Sequence, residues 1–296
     1  MRVTKVHLRR GLDIVVSGNL STGLENKWRS KQGKPRLLWQ RPGRARTAKR
    51  GSAGRVNALL HGLPRARSYL EIGVEHGFTL ENVDVEQRWG VDPAPTFDLS
   101  RLPKGVRFFK ETSDEFFQQL EQGTCFDVVF LDGLHTFEQT YKDLLNTLAH
   151  LREGAVLIDD TVPFDEVSAM PDQRASLAKR SELGLEGLWW HGDVWKIVVC
   201  IARHHPELEF RTILGPRSEN PQTLLLGKHA GVEMAQIDEE DLREIAKLAY
   251  SDVFADGMPQ LFRPCSGHEA LSACLRAVAP RRSQPVYESR PRRSTT

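Results

Sequence analysis

The chain has 296 residues, 40% of them hydrophobic and 27% charged, with a formal net charge of +2. That length fills one large core or two modest ones, and no apolar run approaches the ~18 residues that span a bilayer. Four cysteines without CxxC pairing exclude a disulfide scaffold, and the start MRVTKVHLRR lacks the apolar stretch of a secretory leader, so a cytoplasmic address is expected.

Taken in chain order, VTKVHLRRGLDIVV predicts two short strands around Gly11, in the manner of a hairpin. Residues 27–67 then hold 13 Lys/Arg and no Asp/Glu, whereas residues 68–278 carry 19 Lys/Arg against 36 Asp/Glu. A basic arm on an acidic body reads as a footprint for nucleic acid or as an arm folded back on its own domain. The second is preferred, because no nucleic-acid motif accompanies the run. SAGRVNALLHGL predicts a helix with Val56, Leu59 and Leu60 on its apolar face and Gly62 as its stop.

Strands and helices then alternate. RSYLEIGV, RWGVDP, GVRFFKE, FDVVFLD and AVLIDD predict strands, and so does DVWKIVVCIARHH; RTILGP and QTLLLGKH predict an antiparallel pair. TLENVDVE predicts a short helix. TSDEFFQQLEQG predicts a helix opened by a Thr112–Glu115 capping box, and TFEQTYKDLLNTLAHLREG one opened by Thr136 and Gln139. EEDLREIAKLAYSDVF predicts a helix capped by Asp238. This pattern implies an α/β, Rossmann-like fold with a mostly parallel seven-stranded sheet and helices on both faces. The expected organisation is an N-terminal extension over 1–52, a main domain over 53–264 with a lid inserted at about 161–191, and a C-terminal extension over 265–296, disordered from about 280.

In such a sheet ligands gather beyond the carboxyl ends of the strands. YLEIGVEHG closes its strand with Glu71, Gly73 and Gly77, and Asp92 follows at the end of the next strand, a distance that suits a carboxylate on two ribose hydroxyls. A nicotinamide fold would want glycines at 71 and 76, where this chain has Glu and His. The loop instead suits a ligand without phosphate whose positive charge favours an acidic surround.

The set LEIGVEHG, GVDP, ETSDEFF and FDVVFLDGLHTFEQTYKDLLNTLAHLREGAVLIDD resembles class I S-adenosylmethionine-dependent methyltransferases, in particular a branch whose fourth strand ends in DG-x-H. The resemblance implies that Glu71, Gly73 and Gly77 surround the methionine part of S-adenosylmethionine and that Asp92 holds its ribose. It also places Thr112 and Ser113 where adenine is contacted, although Glu111 stands where the family often has a glycine. Asp132 belongs to ligand binding under the same resemblance.

Two neighbouring strands end in Asp132 and in Asp159–Asp160, so three carboxylates are expected at one mouth, where they would raise one another's pKa. A divalent cation such as Mg²⁺ held by Asp132, Asp159 and Asp160 would remove the conflict and lower the pKa of a bound hydroxyl, and His135 would take the proton. This arrangement resembles metal-dependent O-methyltransferases, including those acting on macrolide sugars, and implies a saccharide or glycosylated small-molecule acceptor. The bland readings stand beside it: Asp160 as a cap, Asp132 on a backbone nest, His135 as a turn residue. A nucleic-acid methyltransferase using the basic arm and a non-catalytic cofactor-binding module are the alternatives. A homodimer is expected without a motif to carry it.

Overall fold

The computed structural model describes residues 14–16, 37–39, 51–63, 65–215, 220–226 and 237–278. Most of the expected N-terminal hairpin, most of the basic arm and the tail beyond 280 lie outside the described residues. Ile14–Val16 (β1) and Leu37–Trp39 (β2) pair in parallel, apart from the main sheet.

The main sheet is built from β3 (Ser68–Ile72), β4 (Gln87–Val91), β5 (Val106–Phe109), β6 (Phe126–Leu131), β7 (Leu151–Ile158), β8 (Glu209–Ile213), β9 (Gln222–Leu226) and β10 (Pro264–Cys265). Its order is β10-β8-β9-β7-β6-β3-β4-β5. Every residue of β3 and β6 is buried, as strands covered on both faces must be. In β6, Val128 and Phe130 face one core while Phe126, Val129 and Leu131 face the other. One core lies under α1 (Ser52–Gly62), α2 (Phe78–Asn82) and α9 (Gly267–Val278). The other lies under α3 (Ser113–Gln119), α4 (Phe137–Ala149) and α6 (Trp195–His204). The remaining helices are α5 (Gln173–Glu182), α7 (Glu239–Lys247) and α8 (Tyr250–Phe254). Among the described residues no helix is long and apolar enough to cross a membrane.

The sheet has eight strands rather than seven. The eighth, β10, is two residues pairing in parallel with β8, anchored by the fully buried Phe262 and turned by Arg263 in a left-handed conformation (φ 50°). The larger correction is α6, where DVWKIVVCIARHH predicts a strand. From Trp195 to Ile201 every side chain is buried, so the run has no polar face and its period is unreadable. The single helix expected over 239–254 is broken at Leu248–Ala249 into α7 and α8.

Two helix starts contrast. Thr112 and Glu115 form the expected capping box on α3. Thr136 makes no side-chain cap on α4; instead Asp193 Oδ1, from just before α6, accepts from Phe137 N at 2.8 Å. Asp193 Oδ2 also accepts from the buried Lys196 Nζ at 3.0 Å, and Lys196 donates to Ala246 O at 2.6 Å. Replacing Asp193 with Ala therefore strands a buried ammonium as well as a helix start. The expected loss is about 3 kcal/mol, checked by urea unfolding, with Asp193→Asn losing less.

Candidate active site

Strand order reverses at β3, which pairs with β4 on one side and β6 on the other; the crevice beyond their carboxyl ends is the position at which such sheets bind ligands. The loop leaving β3 is held tightly there. Gly73 has φ 84°, and a Cβ on it would lie 1.9 Å from the carbonyl oxygen of Asp132, so only glycine lets the two loops approach. Gly77, at φ 73°, starts α2 against the ring of Phe97.

Asp92 supports this loop directly. Its Oδ2 accepts from Val74 N (2.9 Å) and Glu75 N (2.7 Å), and its Oδ1 from Ala94 N (2.7 Å). A carboxylate has about four acceptor positions, so one remains. Thr112 is spent on its capping box, its hydroxyl 2.7 Å from Glu115 Oε2. Ser113 Oγ lies 3.2 Å from Gln139 Nε2, which also reaches Asp114 Oδ1 and Asp143 Oδ1. Asp143 is buried, its pKa raised by that burial, and its Oδ2 comes within 3.6 Å of a Cβ position on Gly133. Sequence reasoning passed over this pair; the i, i+4 spacing of Gln139 and Asp143 on an otherwise apolar helix face was the available signal.

Glu71 is buried at the end of β3 and accepts from Tyr69 OH at 2.8 Å. Burial raises its pKa well above the ordinary carboxylate range; the Tyr69 hydrogen bond opposes this, and Asp132, Asp92 and Asp159 add to it. The folded state thus holds the Glu71 proton more tightly than the unfolded chain. The associated stability is full below the unfolded carboxylate pKa and is lost as pH rises through the folded one. Glu71→Gln keeps an acceptor for Tyr69 and removes that loss. Thermal melts against pH should show the ligand-free variant more stable at neutral pH, by on the order of 1 kcal/mol, and flatter across the acidic range.

The ends of β6 and β7 bring the second group together. His135 Nε2 lies 3.1 Å from Asp132 Oδ1, and its Nδ1 lies 3.4 Å from Asp160 Oδ2 without hydrogen-bond alignment. Asp132 is raised well above its usual range by loss of solvent and then by Asp159, yet its side chain stays 31% open to the crevice. Asp160 is raised by burial and then by Asp159, with His135 acting the other way. Asp160 also sits in a left-handed conformation (φ 53°), and its Oδ1 is buried with no partner. A strained backbone and an orphaned oxygen at one residue are costs that folding alone gives no reason to bear.

Asp159 differs from its neighbours. Gln222 Nε2 donates to its Oδ1 at 2.6 Å and Asn220 Nδ2 to its Oδ2 at 2.8 Å. Gln222 is held in turn by Arg55 Nη1 (2.8 Å) and by Ser52 Oγ (2.7 Å) at the start of α1. The three carboxylates expected as one ligand set are therefore gathered but not equivalent. Among the described residues, no three His, Cys, Asp or Glu side chains are placed to hold a metal ion. Asp159 accepts a side-chain amide on each oxygen, whereas Asp160 Oδ1 accepts nothing. Two carboxylates with substrate and water are, by donor type alone, a set that Mg²⁺ accepts.

The segment after β7 closes over His135. It contains a helix, α5, within the span 161–191. Trp190 stacks on His135 with ring centroids 5.1 Å apart and planes 20° from parallel, and its Nε1 donates to Met170 O at 2.7 Å. A Cβ on Gly192 would lie 1.8 Å from the carbonyl oxygen of His135, which fixes this segment to the site. His191 is buried and packs edge-on to Phe164 at 4.5 Å; burial first, and His135 second, push its pKa down to about 3. It is neutral at physiological pH.

The mostly parallel sheet, its reversal at β3 and the glycine loop at that point are the features of a Rossmann-like fold. Residues 70–161 match the family model described as a methyltransferase domain, a span that runs from β3 past Asp160. Over that span, about a third of its length, the chain is similar to methyltransferase domains. Among solved structures, the chain is similar to cofactor-bound Rv0187 from MTB (20% identity, 62% of this chain and 82% of that one, TM-score 0.43). It is similar to the O-methyltransferase from Bacillus cereus in complex with SAH (16%, 58% and 79%, TM-score 0.41). It is also similar to MycE methyltransferase from the mycinamycin biosynthetic pathway, in complex with Mg, SAH and mycinamycin VI (15%, 72% and 57%, TM-score 0.40). Likenesses of this degree carry no argument about the acceptor. No curated protein matches the chain.

Proposed function

We propose that this protein transfers a methyl group from S-adenosylmethionine to a hydroxyl of a saccharide or glycosylated small molecule, with His135 taking the hydroxyl proton. The observation that carries the reading is the imidazole lying between Asp132 Oδ1 and Asp160 Oδ2 at the carboxyl edge of the sheet. A carboxylate beside each ring nitrogen holds the imidazole in one orientation at the mouth of the crevice. When bound, S-adenosylmethionine supplies an electrophilic methyl on a sulfonium. Glu71, Gly73 and Gly77 would surround its methionine part, with Asp132 beside them, and Asp92, with Ser113, would hold its nucleoside. The chain's task is then alignment, since in-line transfer depends on positioning more than on covalent chemistry.

Asp132 and Asp160 are the residues that would hold a divalent cation such as Mg²⁺, with Asp159 behind them; there the cation would lower the pKa of the acceptor hydroxyl. Supplying methyl-deuterated S-adenosylmethionine with a panel of hydroxylated saccharides and reading products by mass spectrometry tests both parts. Label on oxygen, lost with EDTA and regained with Mg²⁺, is the expected result. Label on nitrogen or carbon, or no transfer, would end the hydroxyl assignment, and indifference to EDTA would remove the cation alone.

A further inference from the structure

We propose that the body of the acceptor is apolar, and that the strip of residues 183–190 is the surface that binds it. This rests on the reading above that His135 receives an acceptor hydroxyl. Among the described residues, the exposed large apolar side chains are Leu134 (61%), Leu183 (53%), Leu185 (41%), Leu188 (38%), Trp189 (37%) and Leu214 (38%). Four of these six lie on that eight-residue strip, and a fifth precedes His135. Scattered apolar exposure needs no explanation, but exposure concentrated on one short stretch of chain marks a binding surface.

The strip is also built to hold its shape. Arg180 is 4% exposed; its Nη1 meets both oxygens of Asp165 at 2.8 Å, its Nη2 donates to Glu186 O at 2.9 Å, and its Nε to Gly187 O at 3.4 Å. A buried guanidinium is an expensive way to shape a loop unless the loop has a task. With those two carbonyls taken, the strip offers its leucines outward. It is continuous with the reaction centre, because Trp190 lies on the His135 ring and Trp189 packs on Phe164 at 5.3 Å. The molecule that fits is an uncharged amphiphile, its hydroxylated head at His135 and its hydrocarbon body across Leu185, Leu188 and Trp189.

The test uses full-length protein saturated with S-adenosylhomocysteine and titrated calorimetrically with methyl, butyl, hexyl and octyl β-glucoside below their micellar concentrations. Affinity should rise about fourfold per added methylene until the strip is covered. In the double variant Leu185→Glu/Leu188→Glu that dependence should flatten, while S-adenosylhomocysteine binds as in the parent. Failure of S-adenosylhomocysteine to bind the parent would count against the methyltransferase reading itself. With that binding intact, glucoside affinity independent of chain length, no glucoside binding, or an unchanged slope in the variant would overturn the proposal. A parent dimer in gel filtration that the variant splits would also overturn it, by assigning the strip to a second copy.

Discussion

Replacing His135 with Ala lowers kcat for methyl transfer by about 10²–10⁴-fold, the usual worth of a positioned general base, while S-adenosylhomocysteine binds unchanged. The two effects should separate because His135 meets the side chains of Asp132 and Asp160, whereas the glycine loop packs at Gly73 on the Asp132 backbone. The loss should be smaller above the pKa of the acceptor hydroxyl, where no proton need be removed, so the ratio of parent to variant narrows as pH rises. Steady-state kinetics across pH, with calorimetry for the product nucleoside, read both. A variant with parental kcat and altered ligand affinity would place His135 in binding alone.

Gly73→Val should leave no folded protein. A Cβ there meets three backbone atoms, the Asp132 carbonyl oxygen at 1.9 Å, its carbon at 2.4 Å and Gly133 Cα at 2.6 Å, none of which can move like a side-chain tip. The positive φ adds conformational strain to the overlap. The combined cost exceeds about 4 kcal/mol against a net stability of about 5–15 kcal/mol for a typical domain. Gly123→Ala is the matched control: φ is 88° and nothing lies within 4 Å of its Cβ, so only the conformational cost of about 1 kcal/mol remains. Soluble yield and circular dichroism compare the two. A Gly73→Val chain as stable as the control would mean that β3 and β6 do not meet at that loop.

The parts of this architecture legible in the sequence are those whose signal is local. β3, β6 and β7 show as short apolar runs because both their faces are buried, and the Thr112–Glu115 box because both partners lie within one turn. The gathering of Asp132, Asp159 and Asp160 followed from strands that end side by side. What stayed hidden depends on distant partners. Thr136 and Gln139 have the local pattern of a capping box, yet Asp193, 56 residues on, takes the Phe137 amide and Gln139 turns to Asp143. The inequality of the three carboxylates is set by Gln222, 63 residues from Asp159, and no periodicity announces that contact. α6 reads as a strand because burial on every side removes the polar face that would have displayed its turn.

The account depends most directly on one crevice binding one nucleoside cofactor. Titrating S-adenosylhomocysteine into the full-length protein by calorimetry is the plainest test, run beside Asp132→Ala, which removes a crevice carboxylate without entering the core. The prediction is saturable binding of one ligand per chain, weakened in the variant. No heat at any accessible ligand concentration, or equal binding by both proteins, would contradict it.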